Sequence, residues 1–134
     1  MKKALLFSLT VIMCFSACRK TAAVAPANLD QNYDASNRIF RIKASATMGY
    51  VLTLTETNPS SPDTPYNYQQ ATQSADYDYG FTPVVGHIIK VNINSPKGVI
   101  SAAVYYKGIK LKALTVTPTA EGGSTVDYSY TVKD

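Results

Sequence analysis

The chain is patterned in twos. Phe40, Ile42, Ala44 and Ala46 alternate with Arg41, Lys43 and Ser45, as in a strand with one buried and one wet face. The same period returns at Tyr50, Leu52 and Leu54 against Val51, Thr53 and Thr55. Within Asp76 to Thr82 it places Tyr77, Tyr79 and Phe81 together. His87 to Asn94 sets Ile89, Val91 and Ile93 against Lys90, Asn92 and Asn94. Val126, Tyr128, Tyr130 and Val132 form a closing strand. Val99 to Tyr106 is nearly all apolar, which predicts a central strand buried on both faces. Ile109 to Thr117 reads as one strand with Lys110 and Lys112 outward, and Tyr66 to Thr72 as a polar edge strand.

Strand-ending residues separate these runs. Met48-Gly49, Pro83 to Gly86 and Ser95-Pro96-Lys97-Gly98 read as turns. Lys107-Gly108 is a tight hairpin turn whose glycine accepts positive φ, and Pro118 to Ser124 is a loop. Asn58 to Pro65 holds three prolines, which lack an amide proton and bar it from a central strand. About eight short strands with frequent turns predict an all-β fold. The expected form is a single antiparallel β-sandwich of about seven to eight strands, immunoglobulin-like, over residues 38–134. A closed barrel fits less well, because the strands are short and unequal.

Composition agrees with a folded β protein. Of the residues, 46% are hydrophobic and 16% charged, which excludes disorder, and ten tyrosines favour strands. Without Lys2 and Lys3 the thirteen basic residues fall to eleven against nine acidic ones, a net +2. No basic face clusters, so no nucleic-acid partner is expected.

The first residues carry an address. Lys2 and Lys3 precede an apolar run from Ala4 to Phe15. Its length is about twelve residues, where a bilayer-spanning helix needs roughly 20. Residues 1–17 therefore read as a signal peptide, and 18–37 as a polar tether ahead of the domain. Phe15-Ser16-Ala17-Cys18 resembles the lipobox of bacterial lipoproteins, although Phe15 stands where leucine is usual. The resemblance implies cleavage before Cys18 and lipid attachment to its thiol, so that the membrane itself is a partner. Arg19 and Lys20 follow the cysteine, not aspartate. By resemblance to lipoproteins of enteric bacteria this favours the outer membrane. The missing acidic run, by resemblance to surface-exported lipoproteins of Bacteroidetes-like bacteria, favours a periplasm-facing domain.

From Tyr77 to Tyr130 the order of features resembles the small mycobacterial membrane proteins that accompany lipid-exporting transporters (MmpS type). The residues are Tyr79-Gly80-Phe81-Thr82, the turn at Gly86, Gly98 opening a strand, the hairpin Val104-Tyr105-Tyr106-Lys107-Gly108, and the tyrosine-rich last strand. The resemblance covers less than half of the chain and implies an envelope sandwich serving a transporter. That family is anchored by a transmembrane helix; this chain has a lipobox instead.

No catalytic constellation emerges. His87 is the only histidine, and its place after Gly86 predicts a rim position. Asp76 and Asp78 leave one sheet face and, with Asp63, offer oxygen ligands, yet no EF-hand spacing appears, so solvated edge charges are expected. Glu56 and Glu121 are the only glutamates, and no acid–base pair can be nominated. No enzyme activity, cofactor or metal is expected. Tyr66, Tyr68, Tyr77 and Tyr79 come in i, i+2 pairs that share a face, suited to a partner protein or a sugar ring. The function expected is a lipid-anchored, non-enzymatic envelope protein that binds a protein partner or serves as a transport accessory. The alternative is a glycan-binding module using surface tyrosines.

Overall fold

The structure is a computed structural model and describes residues 31–111 and 114–134. The signal peptide, Cys18, the tether up to Asp30, and Lys112 lie outside the described residues. One short helix, α1 (Gln31–Ser36), precedes nine strands: β1 (Phe40–Ala46), β2 (Tyr50–Asn58), β3 (Ser61–Gln73), β4 (Tyr77–Phe81), β5 (Ile88–Ser95), β6 (Ile100–Tyr106), β7 (Ile109–Lys110), β8 (Val116–Pro118) and β9 (Ser124–Thr131). They form two sheets, ordered β4-β1-β6-β7 and β3-β2-β5-β9-β8. Every ladder is antiparallel, and the two sheets pack face to face as a β-sandwich.

The period-two pattern fixes which side chains meet between the sheets. Phe40 and Ile42 of β1, Tyr50, Leu52 and Leu54 of β2, Ile89, Val91 and Ile93 of β5, and Val104 of β6 are fully or almost fully buried. A one-residue slip would turn each set outward, so the register is held by the burial it produces. Tyr77, Tyr79, Phe81, Tyr128 and Tyr130 are half-buried against this core. Tyr50 is the largest wholly enclosed side chain; its hydroxyl faces the carbonyls of Ala44 at 3.0 Å and Ala75 at 2.9 Å.

Four features depart from the sequence reading. First, β6 is not buried on both faces. Ile100, Val104 and Tyr106 point inward, while Ser101 is exposed, Ala103 and Tyr105 are half-exposed, and Val99 is 67% exposed. A two-layer sandwich leaves every strand one outer face, even a central strand. Second, Ile109 to Thr117 is not one strand. β7 belongs to the four-stranded sheet and β8 to the five-stranded one, so the chain changes layers between them.

Third, the proline-rich stretch is mostly strand. Its turn is only Pro59-Ser60, fastened by the Ser60 amide donating to Asn58 Oδ1 at 2.9 Å. Pro62 and Pro65 lie in β3, an edge strand whose register to β2 shifts near Thr57. Edges and bulges are where a sheet tolerates proline.

Fourth, the tether reading extends to Asn37, yet Gln31–Ser36 is a helix. A six-residue helix is too short to stand alone. α1 is held by Asp34, which is 1% exposed and accepts two bonds at 2.9 Å from the Arg41 guanidinium. The chain leaves α1 through Arg38, at φ 54, with Ile39 N–H donating to the Asp34 carbonyl at 2.9 Å. At its other end, Gln31 lies against the β6–β7 turn. A Cβ on Gly108 would come within 2.9 Å of the Gln31 carbonyl oxygen.

Candidate functional site

The outer face of the five-stranded sheet is built from the polar halves of its alternating strands. The registers align them into rows. Tyr68, Thr55, Lys90 and Ser129 form one row across β3, β2, β5 and β9. Gln70, Thr53, Asn92 and Asp127 form the next, and Thr72, Val51, Asn94 and Thr125 a third. Among these twelve positions only Val51 lacks a polar side-chain atom. Thr53, Thr55, Lys90, Asn92, Asp127 and Ser129 line an open concavity of about 440 Å³. Asn92 Nδ2 donates to Asp127 Oδ1 at 2.7 Å, which orients both groups. Hydroxyls, amides, one ammonium and one carboxylate thus stand side by side. These groups can both donate and accept hydrogen bonds, while Val91 and Tyr128 add apolar wall to the same concavity.

The four tyrosines nominated from sequence do not form one site. Tyr66 and Tyr68 sit on β3, 65% and 53% exposed. Tyr77 and Tyr79 sit on β4 in the other sheet, half-buried, their rings 6.2 Å apart and packed on the core. Burial raises the Tyr77 hydroxyl pKa above its ordinary value. Tyr68 borders the polar rows; Tyr66 stands with its ring edge-on to His87 at 4.9 Å.

His87 is buried, contrary to the rim position expected for it. Its Nδ1 lies 3.0 Å from Glu56 Oε1, and the Val84 amide donates to the same oxygen at 2.8 Å. Glu56 is 1% exposed. The phase of the strands explains the burial: Glu56 continues the inward series Tyr50, Leu52, Leu54, and His87 precedes Ile89 and Val91 in phase. Val84 and Val85 are partly exposed beside this pair.

The aspartates nominated as oxygen ligands are not brought together. Asp63 is on β3 in one sheet, and Asp78 is on β4 in the other. Asp78 is not a free edge charge either: it pairs with Arg41 at 2.8 Å and Lys43 at 3.2 Å. Arg41 therefore bridges Asp34 and Asp78, and its own pKa is raised chiefly by the hydrogen bond to Asp34. Among the described residues, no three His, Cys, Asp or Glu side chains converge as a metal site.

No protein-family model, characterised protein or solved structure matches the chain. Among the described residues, no helix is long and apolar enough to cross a membrane. Sequence reasoning missed Thr53, Thr55, Lys90, Asn92, Asp127 and Ser129 as a group. Each is visible as the polar partner in an alternating strand, but only the registers show that they share rows.

Proposed function

We propose that this protein is exported, held by lipid on Cys18 at the outer membrane with its domain facing the periplasm, and acts there by binding an envelope protein, without catalysis. The observation that carries the address is the order Lys2-Lys3, apolar run, Phe15-Ser16-Ala17-Cys18. Two or more acyl chains give the stable anchorage that one cannot. The binding role rests on how the reactive side chains are used. Asp34 and Asp78 are engaged by Arg41 and Lys43, and Glu56 with His87 is enclosed in the sandwich. What faces outward is a hydrogen-bonding surface. A role beside a lipid transporter, as the MmpS resemblance implies, is one form of this reading.

Metabolic labelling with a fatty acid tests the anchor. Label is expected on the full chain and absent from Cys18→Ala; label retained by that variant, or missing from the parent, removes the address. Mild crosslinking in intact envelopes tests the partner. A discrete adduct with another envelope protein is expected, and a chain that stays free counts against the binding role.

The polar rows support a second reading, a glycan-binding module. Sugar hydroxyls both donate and accept, as the groups around Asn92 and Asp127 do, and Tyr68 supplies an aromatic surface at their border. A glycan array with the full chain decides it. Binding should fall in Asn92→Ala and Tyr68→Ala and persist in Tyr79→Ala, whose ring is on the other sheet. An array without hits ends this reading.

A further inference from the structure

Four strands end the two sheets, and three of them are blunted. β7 has two residues. β8 has three, the last of them Pro118. β4 has five and carries Asp78, tied into ion pairs with Arg41 and Lys43. Shortness, proline and charge are the devices that keep sheet edges from pairing.

β3 is different. It is the longest strand, with thirteen residues, and its proline and charge are confined to Pro62, Asp63 and Pro65. From Tyr66 to Gln73 it reads Tyr-Asn-Tyr-Gln-Gln-Ala-Thr-Gln, eight residues without charge, proline or glycine. From Asn67 to Gln73 its register to β2 is unbroken. Among the described residues, β2 is the only strand it pairs with. An open row of amides and carbonyls remains on its far side, the template used in strand addition.

We propose that the Tyr66–Gln73 edge pairs antiparallel with the same segment of a second copy, joining two five-stranded sheets into one. Two features favour a second copy as occupant. A charged edge would set like charges against each other in self-pairing, and this edge has none. Its Asn67, Gln69, Gln70 and Gln73 can instead bond side chain to side chain across the join. Moreover, the other three edges are blunted, so a second copy offers only β3. The contact is then the same patch on both chains, and it closes at two. This inference stands whether or not Cys18 carries lipid.

Disulfide trapping in the full chain tests it. Tyr68, Gln70 and Thr72 all face outward on β3, so their substitution leaves the core untouched. Single cysteines at these positions should give a disulfide-linked dimer from at least one, beyond any seen with the parent's own Cys14 and Cys18. A cysteine at Ser101, exposed on the other sheet, should give none. With cysteines at both Tyr68 and Thr72, which lie opposite each other across the join when Gln70 faces Gln70 of the second copy, Gln70→Lys and Gln70→Glu should each lose the dimer alone and regain it when coexpressed. No dimer from any β3 position, equal trapping at Ser101, or failure of the mixed charges to restore it overturns the proposal. A chain whose edge is covered by its own N-terminal residues, or by another protein, would give the first of these results.

Discussion

His87 Nδ1 and Glu56 Oε1 stand 3.0 Å apart in the interior of the sandwich, and that one oxygen also holds the Val84 amide. Glu56→Ala takes the partner from both the Val84 amide and the His87 ring nitrogen at once. It is expected to cost about 3 kcal/mol, as when a buried polar network loses a member. Glu56→Gln should cost clearly less, because its amide oxygen can still receive the Val84 N–H. Urea unfolding of both variants measures this. Equal losses would mean that the carboxylate acts by filling space and not as a shared acceptor.

The Asp34–Arg41 pair gives the fold an acid sensitivity. The Arg41 hydrogen bonds hold the Asp34 carboxyl below its ordinary value of 3.8, against the opposing effect of burial. A lowered folded-state value means that the pair's stabilisation is complete above about pH 4 and is lost as pH falls through the lowered value. Asp34→Asn should therefore destabilise by about 2 kcal/mol at neutral pH. Its deficit relative to the parent should shrink in acid. A deficit constant from neutral to strongly acidic pH would refute the assignment to charge.

At the alkaline end the sensitive group is Tyr50. Burial first, then the nearby Asp76 and Tyr77, raises its pKa above 10.0. The neutral hydroxyl faces two carbonyl oxygens, whereas a phenolate would face them with no proton to give. A raised folded-state value gives stability that is complete below pH 10 and lost as pH climbs through that value. Tyr50→Phe should cost about 1 kcal/mol at neutral pH. It should unfold less steeply than the parent in base. Equal slopes would place the alkaline loss elsewhere.

The turn between β6 and β7 holds both central residues at positive φ, Lys107 at 52° and Gly108 at 74°. Asparagine tolerates that conformation better than lysine, so Lys107→Asn should stabilise by about 0.5 kcal/mol. Gly108→Ala is strained there and also meets the Gln31 backbone. It should cost about 2 kcal/mol, and more if α1 is displaced. Calorimetry gives both values. Displacement of α1 would show as loss of the acid sensitivity assigned to Asp34, and a Gly108→Ala variant as stable as the parent would contradict the turn geometry.

Much of this architecture is legible in the alternation of residues, because a half-buried strand imposes period two on its own sequence. Phe40–Ala46 is a strand with the bounds that pattern implies. Sheet membership is harder to read, since the period says which residues share a face but not which strand lies beside them. Hence the change of layer between Lys110 and Val116 leaves no mark in a run that reads as one strand. Tyr77 and Tyr79 have the same spacing as Tyr66 and Tyr68, yet one pair lies against the core and the other in solvent. The Glu56–His87 pair did leave a trace: each is a polar residue in the inward phase of an apolar series. Asp34 and Arg41 left none, because no periodicity spans a helix and the strand after it.

Fastening Asp34 to Arg41 also limits how far the sandwich can stray. With lipid on Cys18 as proposed, the leash is the twelve residues from Arg19 to Asp30, not the stretch to Asn37. Fully drawn out, twelve residues reach about 40 Å, and unlatching the helix would add about 20 Å to that radius. If Cys18 carries lipid as proposed, this one ion pair limits how far from the bilayer the domain can reach.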